Sequence, residues 1–307
     1  VAPRDPHLLL QPAGTVVRHL ARQLLEEAQA AAARLDGNDP EALHDFRVAV
    51  RRLRTLLRAW EETAQVPPKT TRRLRKLARA TNEARDLEVA LENLRRRADA
   101  ADSAAAALTE HLARRHALIR NETVDEVKKE WPALAARLHR ALAANPAETA
   151  PSFRQAASQL LAAEWDGLQE VLDALRTRWE DDTAHRARLA GKRLRYLLEP
   201  LSAELPVAKE AVATLKRFQD RFGLYHDLWV LVGLLAEEAA ASAAVATHAR
   251  ACGRPAEGLI TERYLVLADG LHAERNRLAD QLAADYLAPA ARALEPVAAA
   301  VTALTSG

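Results

Sequence analysis

Apolar residues recur at helical spacing from one end of the chain to the other, and Pro and Gly punctuate the spans. The first predicted helix runs from Thr15 to Leu35 and is closed by Gly37. Asn38-Asp39-Pro40-Glu41 then supplies a cap, a first-turn proline and a first-turn acid for a second helix reaching about Glu62. Pro67-Pro68 separates it from a basic helix ending near Ala80, and a further helix starts near Arg85. Alanine-rich helix follows to about Ala143, with an interruption expected at Pro132. Asn145 to Pro151 reads as a linker. The pattern restarts at Ser152, with breaks expected at Pro206, Gly223 and Cys252 to Pro255, and a last long helix reaches about Tyr286.

The second helix divides into two faces. At about 100° per residue, His44, Arg47, Arg51, Arg54 and Arg58 share about 80° of its surface along roughly 21 Å of axis. Phe46, Val50, Leu53, Leu56 and Leu57 lie opposite and must pack on a core. The next helix repeats the design, with Arg72, Arg75, Lys76 and Arg79 on one side and Leu74, Leu77 and Ala78 on the other.

The pattern occurs twice. Shifted by 141 residues, His44-x-x-Arg47-x-x-x-Arg51-Arg52-Leu53-Arg54 overlays His185-x-x-Arg188-x-x-x-Lys192-Arg193-Leu194-Arg195 without a gap. At the same offset Leu74-Arg75-Lys76 meets Leu215-Lys216-Arg217, and Asp86-Leu87 meets Asp227-Leu228. Two separate matches at one offset mark an internal duplication. Glu199 stands where Arg58 stood, so the copies differ at that end.

Composition agrees with helix. Hydrophobic residues make up 49% of the 307 positions but aromatics only 4%, which disfavours a sandwich, a barrel or a Rossmann-type sheet. The chain is expected to be all-α. Seven of the 44 basic residues are lysine and the other 37 arginine, whose planar fork suits phosphate and carboxylate. The net charge is only +2, yet residues 44–58 carry +4, 69–79 +6, 185–195 +5 and 216–221 +2. The remainder therefore carries −15. These stripes lack the interspersed acids of an ordinary solvated helix, so a polyanion or acids from elsewhere in the fold must balance them. Cys252 is the single cysteine, which leaves no intramolecular disulfide and no Cys-based zinc site. The longest uncharged apolar run, Leu228 to Ala236, falls short of a bilayer span, and no signal pattern opens the chain. A soluble, cytoplasmic protein that does not engage a membrane is expected.

These residues resemble the CHAD domain, the conserved histidine α-helical domain. Its signatures are a His-x-x-Arg-x-x-x-Arg/Lys-Arg/Lys-Leu-Arg helix and a later Arg/His-Asp-Leu segment, each occurring twice. Here they are His44 to Arg54 with Arg85-Asp86-Leu87, and His185 to Tyr196 with His226-Asp227-Leu228. The family's Leu-Gly before the Asp is matched by Phe222-Gly223 in the second copy but replaced by Thr81-Asn82 in the first. The resemblance implies two antiparallel four-helix bundles related by a pseudo-two-fold, with a basic central groove or pore. It places the first four-helix repeat at 10–145, the second at 151–290, and a C-terminal tail at 291–307. It implies inorganic polyphosphate as the ligand and association with polyphosphate granules. On this reading the binding residues are His44, Arg47, Arg51, Arg54, Arg58, Arg72, Arg75, Lys76, Arg79, His185, Arg188, Lys192, Arg195, Lys216 and Arg217. No catalytic residue, metal or cofactor is expected; the Glu-x-Glu-x-Lys motif of the triphosphatase domain found beside some family members is absent.

Three rival readings compete. His44-Asp45 and His226-Asp227 are adjacent His-Asp pairs, as a metal-dependent phosphohydrolase would carry, but neither pair is reproduced in the other copy. A nucleic-acid binder would also use basic faces, yet the stripes interleave no aromatics for base stacking. A scaffold could instead receive the acidic helices of a partner.

Overall fold

The computed structural model describes residues 8–37, 39–97, 103–143, 151–254 and 259–305. Among them every regular element is helical, apart from an isolated antiparallel bridge between Pro12 and Ser152. The α-helices are α1 (Ala13–Ala33), α2 (Ala42–Ala59), α3 (Glu61–Ala64), α4 (Pro68–Ala80), α5 (Asn82–Arg97) and α6 (Ser103–Ala143). There follow α7 (Phe153–Thr177), α8 (Asp181–Leu198), α9 (Pro206–Ala251), α10 (Leu259–Leu282) and α11 (Glu295–Thr305). Asn38 and most of the expected linker at 145–151 lie outside the described residues.

Local chemistry sets the helix starts. Asp39 Oδ1 accepts from the Glu41 backbone N–H at 2.9 Å just ahead of α2. Ser152 and Gln155 form a reciprocal capping box at the start of α7. Pro68 opens α4, where a missing N–H costs nothing.

Two expectations fail in instructive ways. Pro132 does not interrupt α6, because Trp131, Leu134 and Leu138 on either side of it are buried, with Trp131 edge-on to Phe46 at 5.0 Å. Core packing there outweighs the lost hydrogen bond. Gly223 does not break α9; Phe218, Phe222, Tyr225 and Leu228 bury one continuous face through it. The break falls in the first copy instead, where α4 gives way to α5 at Thr81, whose Oγ1 donates to the Ala78 carbonyl at 2.9 Å. The segment read as a tail carries α11, whose Val297, Ala300, Val301 and Leu304 are buried, against α7 and α9.

Within the first half, α1 lies on α2 and α6, and α4 bridges α2 and α6. In the second, α8 packs between α7 and α9, and α10 lies along α9. Gly191 of α8 permits a close approach: an added Cβ would sit 2.8 Å from Phe218 Cδ1 of α9. The principal helix contacts between halves are α1 with α7, α2 with α8, α5 with α9 and α6 with α10. Each joins a helix to the region 141 residues further along. The two starts are also tied by backbone, with Ala13 N–H to the Pro151 carbonyl at 2.9 Å and Phe153 N–H to the Gln11 carbonyl at 2.8 Å.

Among the described residues one helix, α9, is by length and composition alone long and apolar enough to cross a bilayer, with a mean hydropathy of 1.6 over its most apolar window. Little of that window is buried, whereas the first half of the helix is part of the core.

Candidate functional site

Because α2 and α8 bury their apolar faces in their own halves and also touch each other, their basic stripes converge where the halves meet. Arg47 and Arg51 of α2 and Arg188 and Lys192 of α8 are half-buried there. Arg51 Nη2 donates to Tyr196 Oη at 3.1 Å. The Nε atoms of Arg47, Arg51 and Arg188 are buried and have no hydrogen-bond acceptor among the described residues.

The cost of gathering these cations appears in their protonation. Burial, then Arg51 and Arg85, pull Arg47 down to about 10, with Asp86 opposing. Arg188 is lowered by burial, with Asp227 opposing and Arg51 adding. Lys192 is pushed down to about 5 by burial and then by Arg51, Arg188, Arg47 and Arg195. An amine in that state is neutral near pH 7 until an anion arrives.

Three clefts are lined by these basic residues. The first, about 580 Å³, lies between α2 and α4 and is lined by Arg54, Arg58, Arg72, Arg75 and Arg79 together with Glu61. The second, about 250 Å³, shares Arg54 and Arg58 with it and adds Arg51, Lys192 and the Arg193–Glu164 pair. The third, about 170 Å³, holds His44, Arg47 and Arg85, with His116 and Arg120 from α6. Burial, then Arg58 and Arg51, lower Arg54.

The expected site residues therefore divide. His44, Arg47, Arg51, Arg54, Arg58, Arg72, Arg75, Arg79 and Lys192 line the clefts, and Arg188 adjoins Lys192. Lys76 is exposed on α4, 4.0 Å from Glu126. Lys216 and Arg217 are exposed on α9 and line none of the three clefts; Arg217 donates to Thr214 Oγ1. Arg195 is ion-paired with Glu199 at 3.0 Å.

His185 is drawn away from the stripe. Its Nδ1 lies 3.2 Å from Nδ1 of His226, so one ring donates to the other. Burial and then Arg188 lower His185, and burial and then His185 push His226 down to about 3. Asp45, beside His44, pairs with Arg34 rather than with the histidine. Among the described residues, no group of three His, Cys, Asp or Glu side chains could hold a metal.

Asp86 lies inside α5 and Asp227 inside α9. Both face the junction, where burial raises them despite Arg47 and Arg188 at Asp86 and Arg188 and Arg85 at Asp227. Arg85 and His226 occupy equivalent positions in the duplication, and that signal could have marked them as site residues. His116 and Arg120 come from outside the repeated segments and leave no such trace.

The sequence model of the CHAD domain matches residues 17–236. The chain belongs to the CHAD-domain family. A crystal structure of the CHAD domain from the plant Ricinus communis is similar with a TM-score of 0.69 and 22% identity, covering 92% of this chain and 96% of that one. PptA from Streptomyces chartreusis is similar with a TM-score of 0.59 and 19% identity, covering 94% of this chain and all of that one. At these identities both likenesses speak for the fold alone. No curated protein matches the chain.

Proposed function

We propose that this CHAD-domain protein binds inorganic polyphosphate, without catalysing a reaction on it, in a basic groove between two pseudo-two-fold-related four-helix bundles. The observation that carries this reading is the half-buried group of Arg47, Arg51, Arg188 and Lys192, drawn from both copies, with guanidinium N–H groups left without acceptors. A buried donor without a partner costs roughly 1–3 kcal/mol, and more when charged, so an anion that supplies acceptors is strongly favoured. The first two clefts share Arg54 and Arg58, which suits a chain of closely spaced phosphates better than a single ion.

The absence of any aromatic lining these clefts weighs against single-stranded nucleic acid, which gains affinity by stacking its bases. The diversion of Asp45 to Arg34 weighs against a His-Asp metal site. An acidic partner protein is a less economical occupant, because the cleft lined by Arg51 and Lys192 holds only about 250 Å³. Under this reading the protein works in the cytoplasm, at polyphosphate granules where these form.

Competition decides between the ligands. Labelled polyphosphate bound at physiological ionic strength should be displaced by unlabelled polyphosphate and resist a charge-matched excess of duplex DNA. Equal displacement by DNA would overturn the assignment.

A further inference from the structure

The duplication makes the two basic stripes equivalent in sequence, but the fold does not leave them equally free. In the first copy Arg58 lines an open cleft with Arg54, Arg72, Arg75 and Arg79, where the one acid, Glu61, makes no ion pair with them among the described residues. The equivalent position in the second copy is Glu199, and its carboxylate is fully engaged. Glu199 Oε2 accepts from Arg52 Nη2 at 2.7 Å, and Glu199 Oε1 pairs with Arg195 Nη1 at 3.0 Å. Both guanidiniums also lie over the Tyr196 ring, at 5.7 and 4.9 Å from its centroid. Two arginines from opposite copies and an aromatic platform thus form a built anion receptor, and a side chain of the protein itself fills it. Two further second-copy cations are also paired with acids of the fold: Arg193 with Glu164 at 2.6 Å, and Arg221 with Asp285.

We propose that Glu199 is a resident anion that closes the second-copy end of the groove and so decides where a bound polyphosphate chain stops. The chain then lies along the α2–α4 cleft and reaches the Arg51–Lys192 junction, while the Arg52–Arg195 receptor beyond stays occupied from within. A ligand held this way is gripped unequally by the two copies. The inference rests on the polyphosphate reading and adds the residue that sets the length of the track.

The test uses the full chain, linear polyphosphates of defined length, and the Glu199→Gln variant checked for folding by circular dichroism. Removing the carboxylate frees Arg52 and Arg195 for phosphate. The salt dependence of long-chain binding should steepen by about 0.7 for each phosphate newly neutralised, so by roughly 0.7–1.4 in all. Long-chain affinity should rise about tenfold. Independently of any variant, wild-type affinity should stop increasing with chain length once the first-copy clefts and the junction are filled. A folded Glu199→Gln protein with unchanged slope and affinity would overturn the proposal. So would wild-type affinity that keeps climbing with length, which alone decides the matter if the variant misfolds. Failure of wild type to bind any chain length would instead overturn the polyphosphate reading itself.

Discussion

Arg51 of α2 donates a hydrogen bond of 3.1 Å to the phenol of Tyr196 on α8, joining the basic stripes of the two copies across their junction. That bond uses one Nη of the guanidinium and leaves Nε without an acceptor. Lys192 sits against the same group, and burial and Arg51 together suppress its charge. The junction is therefore held in a state that an incoming anion relieves.

Lys192→Glu should separate stability from binding. A carboxylate placed among Arg51, Arg188, Arg47 and Arg195 relieves their repulsion, so the melting temperature of the free protein should rise. Polyphosphate affinity should fall by at least about 30-fold, roughly 2 kcal/mol, because the new charge faces the ligand. Thermal unfolding and titration of one preparation check both directions.

The pH dependence follows from the same group. Lys192 titrates at about 5 in the folded protein, whereas a lysine in an unfolded chain titrates near 10.4. Between these values the unfolded chain holds a proton that the folded one lacks, so stability rises with pH across that window and is lowest at its acidic end. Bound polyphosphate favours the charged amine, so binding takes up a proton and should tighten as pH falls from about 8 to about 6. His185 and His226, also lowered, add to the rise of stability with pH with the same sign. Calorimetric titrations in buffers of different ionisation heat measure the uptake, which Lys192→Met should diminish.

Asp86 and Asp227 already interact with Arg188 and its neighbours, so on the proposed reading they compete with phosphate for them. Replacing either by Asn should tighten polyphosphate binding about three- to tenfold, an effect of order 1 kcal/mol, without lowering the melting temperature, because burial already disfavours the charged carboxylate. Weaker binding by a folded Asp→Asn variant would assign these carboxylates to ligand placement instead.

Gly191→Ala tests the packing that aims α8 at the junction. Its Cβ would meet the buried Phe218 ring at 2.8 Å, so the substitution should destabilise the protein by about 1–3 kcal/mol. Urea unfolding measures the loss.

What the sequence made legible was what lies within one helix or repeats at one offset. The stripe from His44 to Arg58, its apolar back at Phe46, Val50 and Leu53, and the counterpart on α8 all follow from helical spacing. Gly223 and Pro132 misled because local breakers yield where both flanks are buried. The neutralisation of Arg52 by Glu199 and of Arg193 by Glu164 was hidden because these partners come together only through tertiary packing. Lys216 and Arg217 match Arg75 and Lys76 in sequence but line none of the three clefts, because Gly223 does not divide α9 as Thr81 divides α4 from α5.

The most direct test of the polyphosphate groove is the dependence of wild-type affinity for long-chain polyphosphate on salt concentration. Engagement of the α2–α4 cleft and the Arg51–Lys192 junction implies about six to ten neutralised phosphates, each contributing about −0.7 to the log–log slope by analogy with single-stranded nucleic acid. The account predicts a total slope of roughly −4 to −7. A slope near −1, or no binding at low salt, would contradict it.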